Sequence, residues 1–229
     1  MQERDGRLGP MSWPEVAAVA ADSILVVPLG STEQHGPHLP LSTDADVAVA
    51  VADRLAAARP DVLVAPVLPY GSAGEHAGFP GTLSIGAAAL EHVVVELVRS
   101  ASAFAGVVLV SGHGGNAAPL AAAVSTLRAE GRVVLAWSPR IPNGDAHAGR
   151  TETSLLLALT PELVRMEAAE PGDSRPLAAV MGDLRRGGVA TVSPNGVLGD
   201  PTGATAGEGE RLLETLAADL IAAVKAWRP

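Results

Sequence analysis

The segment Gly30-Ser31-Thr32-Glu33-Gln34-His35-Gly36-Pro37-His38, followed by Asp44 and Asp46, gathers three carboxylates and two imidazoles behind an apolar run. These are oxygen and nitrogen donors of the kind that hold a divalent metal. In an extended stretch Glu33 and His35 face the same way, so both can reach one metal or two adjacent ones. Asp44, opening the next helix, can bridge them. Taken alone, the same residues also fit a quieter reading, with Asp44 as a helix cap and His35 as a turn residue bonded to backbone.

Two further segments tip that balance. Ser111-Gly112-His113-Gly114-Gly115-Asn116 follows one apolar run and precedes a helical stretch, which places His113 where a neighbouring strand end can meet the first loop. It lacks the Lys and Ser/Thr spacing of a phosphate-binding loop. Asp145-Ala146-His147-Ala148-Gly149-Arg150-Thr151-Glu152 enters an apolar helix with Glu152 in its first turn. An acidic residue there also suits the helix dipole on its own, but beside the other loops Glu152 reads as a fifth ligand and His147 as an acid or base close by. Glu75 and His76 are weaker candidates for orienting a substrate, together with Asn116. His92 lies in an ordinary helical pattern and reads as structural or solvated.

A sulfur-free set of this kind suits zinc, iron(II) or manganese. Two such ions explain amide hydrolysis directly: they polarise the carbonyl, acidify a water and stabilise the oxyanion. His147 is then placed to protonate the departing nitrogen.

The elements that must position these loops alternate between β-branched and Ala/Leu-rich runs. Ile24 to Leu29, Val62 to Leu68, Val107 to Val110 and Val133 to Trp137 read as strands. Val47 to Ala58, Ala87 to Phe104, Ala117 to Glu130, Thr151 to Leu159 and Glu208 to Trp227 read as helices. The strands are almost wholly apolar, as expected where helices cover both faces of a mostly parallel sheet. Sites in such folds sit at the strand C-terminal ends, where the polar loops fall. Arg185 to Glu208 is too rich in Gly, Pro and Asn for a helix and reads as an ordered functional loop or subunit contact.

With 229 residues and 48% hydrophobic content the chain predicts one domain, residues 1–229. A net charge of -9 argues against nucleic acid as a partner. The absence of cysteine removes disulfides, thiolate nucleophiles and sulfur-ligated zinc. Met1 to Pro14 carries no apolar core of a signal peptide and no later run is long enough to span a membrane, so a cytoplasmic protein is expected.

Gly30 to His38 with Asp44, the Glu75-His76 loop, Ser111 to Asn116 and His147 to Ser154 together resemble the motifs of the creatininase family, in that family's order. The resemblance implies a three-layer α/β/α sandwich, homo-oligomeric assembly and two divalent metals acting on amide bonds, with Glu33, His35, Asp44 and His113 as ligands. Creatinine-hydrolysing members carry a metal-binding Glu two residues after the matching His. Gly115 stands there in this chain, so creatinine is a poor expectation and Glu152 has to supply the carboxylate. Asp145 to Gly149, Arg185 to Val189 and Asn195 to Pro201 resemble a peptidase branch of the family. That branch implies a modified precursor peptide as substrate, whose crosslinked C-terminal Val-Tyr unit is released. The competing readings are a small cyclic amide or formamide as substrate, or a non-catalytic protein with one closed structural metal.

Overall fold

The six-residue runs Ile24–Leu29 (β1) and Gly106–Ser111 (β3) are buried along their whole length and pair in parallel, with Val26 opposite Val108. Val62–Val64 (β2) joins the outer side of β1, and Val134–Trp137 (β4) joins β3, giving the order β2-β1-β3-β4 with every pair parallel. The computed structural model describes residues 6–227; the first five residues of the Met1 to Pro14 segment lie outside the described residues.

Successive side chains of these strands point to opposite faces, and each face has its own core. Ile24, Val26, Val108 and Val110 pack with Thr43–Ala58 (α2), Arg150–Leu159 (α5) and Ala206–Ala226 (α8). Leu25, Val27, Val107 and Leu109 pack with Ala87–Ser100 (α3) and Ala117–Ala129 (α4). This is the expected three-layer α/β/α sandwich. A short helix, Trp13–Ala17 (α1), precedes the sheet. No helix among the described residues is long and apolar enough to cross a membrane.

Two expectations need correction. The predicted strand Val62 to Leu68 ends at Val64 because the alternation slips by one residue: Ala65 N bonds Val26, but the next bond to β1 comes from Leu68 to Pro28, and only an isolated bridge, Leu29 with Leu68, continues the strand. The stretch from Arg185, read as too punctuated for a helix, begins inside one. Leu177–Gly187 (α6) is helical, with Leu177, Met181 and Leu184 at the i, i+4, i+7 spacing of one face. Gly188, at φ 72°, ends it, and one further turn follows as Val189–Val192 (α7). From Ser193 to Thr205 the chain is irregular apart from a 3-10 turn at Pro201–Gly203.

Candidate metal centre

The loop after β1 carries Glu33, Gln34 and His35 across the C-terminal end of the sheet, and the first turn of α2 brings Asp44 against it. That approach depends on Gly112: a Cβ there would stand 2.2 Å from the Asp44 carbonyl oxygen. The loop after β3 contributes His113, the Gly74–His76 turn contributes His76, and the start of α5 contributes Glu152 with His147 just before it. All of these side chains are buried except those of Glu75 and Glu152, which are partly exposed.

Their polar atoms converge. Asp44 is shared between two imidazoles, with Oδ1 3.2 Å from His35 Nε2 and Oδ2 3.2 Å from His113 Nδ1. Glu33 Oε2 lies 3.2 Å from His113 Nδ1, and Oε1 lies 3.2 Å from His76 Nε2 and 3.8 Å from His147 Nδ1. Glu152 Oε2 is 3.8 Å from His35 Nε2. Three overlapping groups have ligand atoms within 4.8 Å of one another: Glu33, Asp44 and His113; His35, Asp44 and Glu152; and Glu33, His35 and His147. The first two share only Asp44.

The donors fit a cation on chemical grounds as well. Both oxygens of Glu33 and Oδ2 of Asp44 are buried without a hydrogen bond. Buried carboxylates left this way are costly unless a charge compensates them. His35 Nδ1 lies 3.2 Å from the Glu33 carbonyl oxygen, which only accepts, so its Nε2 faces Asp44 and Glu152 with a lone pair when the ring is neutral.

The electrostatics show the same appetite for positive charge. Burial raises the Glu33 pKa, and the nearby Asp44 raises it further. Burial pulls His35 down, but Asp44, Glu152 and Glu33 outweigh it and lift the ring to about 9. His113 is raised in the same way, against burial, by Asp44 and Glu33. Asp44 is held low in spite of burial because His35 and His113 flank it. Burial pushes Glu152 up to about 7. His147 and His76 go the other way, lowered first by burial, with His76 at about 3; both stay neutral near pH 7.

The remaining candidates fall outside the cluster. Asp46 accepts from the Ser42 hydroxyl at 2.7 Å and does not join it. Asn116 sits behind the site: its Oδ1 accepts from Ser72 N, and its Nδ2 donates to the Gly30 carbonyl and the Ser111 hydroxyl. It braces three loops and is absent from the cavity lining. Glu75 does line the cavity, with its carboxylate 3.6 Å from His113 Nε2. His92 is exposed on α3. Gln34, which the sequence reading passed over, is buried among His76, His147 and Gly196. Its place between two ligand candidates was the only sequence signal for it.

The cluster forms one end of a cavity of about 840 Å³. Leu177, Met181 and Leu184 of α6 make an apolar wall, and Arg185 stands at its edge. Arg186 also lines the cavity and pairs with Asp183.

A parallel three-layer sandwich with carboxylates and imidazoles at its strand ends defines a class, and the sequence comparison agrees: the family described as creatinine amidohydrolase matches residues 10–224. The chain belongs to the creatininase family and is a hydrolase of amide or peptide bonds. Among its relatives is the mycofactocin precursor peptide peptidase of Mycolicibacterium smegmatis, 52% identical over 90% of this chain and 86% of that protein. The protein of the same name from Mycobacterium tuberculosis is 47% identical over 98% and 92%. The creatinine amidohydrolase of Pseudomonas putida is 32% identical over 70% and 74%. A solved structure of creatinine amidohydrolase superposes with TM-score 0.79 at 29% identity, covering 97% of this chain and 98% of that one. Another, titled "Creatininase Mn", gives 0.80 at 28%, covering 99% and 100%.

Proposed function

We propose that this chain cleaves the modified mycofactocin precursor peptide and releases its C-terminal Val-Tyr-derived unit. The observation that carries the reading is the cavity beside the carboxylate–imidazole cluster. At about 840 Å³ it lies near the top of the roughly 300–1,000 Å³ range of small-molecule sites, and its far wall is the apolar face of α6. A small cyclic amide leaves most of that wall untouched, whereas a peptide carrying a bulky C-terminal group fills it. The similarity to peptidases across nearly the whole chain supports the same substrate.

In this reading Glu33, Asp44 and His113 hold one divalent ion and His35, Asp44 and Glu152 the other, with zinc, iron(II) and manganese as the candidates. Bound there, such ions supply carbonyl polarisation and an acidified water. The chain's own groups do the rest. Asp44 fixes the spacing between the two halves of the site. His147, kept neutral by burial, takes a proton at Nδ1 as water adds to the carbonyl carbon. It returns that proton to the nitrogen when the C–N bond breaks. Glu75 and His76 orient the substrate from the cavity side, and Asn116 holds the loops that carry them. We read residues 1–229 as one domain that works as a homo-oligomer in the cytoplasm.

Mass spectrometry of the fully modified precursor peptide, incubated with metal-loaded protein and with an EDTA-treated sample, tests this. Release of the C-terminal fragment only with metal is the expected result. An intact peptide would overturn the substrate assignment and point to small cyclic amides or formamides.

A further inference from the structure

Gln34 is buried between the two neutral imidazoles of the site, and its orientation is fixed by two backbone groups of unambiguous polarity. Oε1 accepts from Gly36 N at 2.8 Å, and Nε2 donates to the Gly196 carbonyl at 3.0 Å. A reversed amide would set its NH2 against an N–H and its oxygen against a carbonyl. The nitrogen therefore faces the histidines.

Protonation follows from that. Nε2 of Gln34 lies 2.9 Å from His76 Nδ1, so Nδ1 accepts and the ring proton sits on Nε2, turned toward Glu33 Oε1 at 3.2 Å. His147 Nε2 lies 3.0 Å from Gln34 Nε2, but the two hydrogens of that amide are taken by the Gly196 carbonyl and His76 Nδ1; it also lies 2.9 Å from the Gln34 backbone carbonyl oxygen, which can only accept, so the His147 nitrogen carries the proton. Its Nδ1 then holds the lone pair, aimed at the cluster 3.8 Å from Glu33 Oε1. One residue, through its side chain and its carbonyl, thus sets the tautomer of both rings.

The place for Gln34 is built from a distant part of the chain. A Cβ at Gly196 would stand 1.9 Å from Gln34 Oε1, so only glycine leaves room for the amide. Leu198, two residues on, pairs with His147 through reciprocal backbone bonds of 3.2 and 2.8 Å. The Asn195 to Pro201 segment therefore holds both Gln34 and His147.

We propose that Gln34 is a positioning residue that fixes His76 and His147 as Nε2–H tautomers. His76 thereby offers its proton toward Glu33, and His147 presents an unprotonated Nδ1 to the reacting groups. Only the activity arm of the test rests on the peptidase reading.

The test is nitrogen-15 NMR of the imidazole rings in the full chain, metal-free and zinc-loaded, with resonances assigned by His76→Asn and His147→Asn. Both rings should show the Nε2–H pattern. In Gln34→Glu an acceptor faces His76 Nδ1, so that ring should switch to Nδ1–H. On the precursor peptide, kcat should fall at least about 10-fold, within the ~10²–10⁴-fold that a positioned acid–base group contributes, with KM and metal content within about twofold of wild type. A wild-type Nδ1–H pattern in either ring, or unchanged tautomers in Gln34→Glu, would overturn the proposal. If Gln34→Glu does not fold, the wild-type spectrum still decides the matter. Failure to cleave the peptide would count against the peptidase reading alone, because the spectra require no substrate.

Discussion

The Glu75 carboxylate stands 3.6 Å from His113 Nε2 and occupies the space beside Gly115. A Cβ at Gly115 would lie 2.5 Å from Glu75 Oε1 and 2.5 Å from the Ser72 carbonyl oxygen. Glu75 can swing away, but the Ser72 backbone is held by Asn116. Gly115→Ala should therefore cost about 1–3 kcal/mol, several degrees in Tm. Gly115→Glu should gain no creatinine hydrolysis. Creatinine turnover at a native Tm would show that the space is free.

Glu33 should change the sign of its effect on stability with metal. Burial and the neighbouring Asp44 outweigh its contacts with His113 and His35 and raise its pKa, so in EDTA Glu33→Gln should melt higher than wild type, by about 1–3 kcal/mol. With zinc the order should reverse. Differential scanning calorimetry in both buffers reads it, and a lower Tm in EDTA would count against an uncompensated carboxylate.

Stripping metal from the wild type should lower Tm, since a ligand at 100 times its Kd stabilises by about 2.7 kcal/mol. Asp44→Asn, which weakens both shared contacts, should remove most of that shift and leave less than one ion per chain by elemental analysis. His113→Ala should abolish hydrolysis with native circular dichroism. Full metal content in Asp44→Asn would sink the bridging role.

His38 gives the acid limb of stability. Its Nε2 meets the Thr153 hydroxyl at 2.8 Å, while Nδ1 is buried without a hydrogen bond. Burial first, and His35 second, lower its pKa from 6.5 to about 4. The folded value is depressed, so this contribution is full above pH 6.5 and lost as pH falls to about 4, at up to about 1.4 kcal/mol per pH unit. His38→Gln should flatten the dependence of Tm on pH across that window; parallel curves would refute the assignment.

Met181→Asp, on the apolar wall of α6, should raise KM for the precursor peptide at least tenfold, by analogy with burying an unpaired charge, and leave metal content unchanged. Unaltered KM would remove α6 from the binding site.

The sequence made the layers readable because each buried strand is a run of apolar β-branched residues, and the ligand loops stood out because they interrupt those runs with His and carboxylates. Asn116 reads from the sequence as a substrate contact, but the direction of a side chain at a 3-10 turn depends on partners such as Ser72, 44 residues away. Gln34 was invisible for a related reason. Its role depends on Gly196, 162 positions on, which periodicity does not report. α6 was obscured by Gly182 and the Gly187-Gly188 pair, which weaken a helical reading although the apolar spacing persists.

The clamp that Gly196 and Leu198 place on Gln34 and His147 separates ligand supply from ligand tuning along the chain. Every candidate ligand, from Glu33 to Glu152, precedes that clamp in the sequence. The tuned site therefore needs a segment that supplies no ligand itself: Asn195 to Pro201 must fold back on Gln34 and His147, so loosening it would detune His147 while leaving every ligand in place.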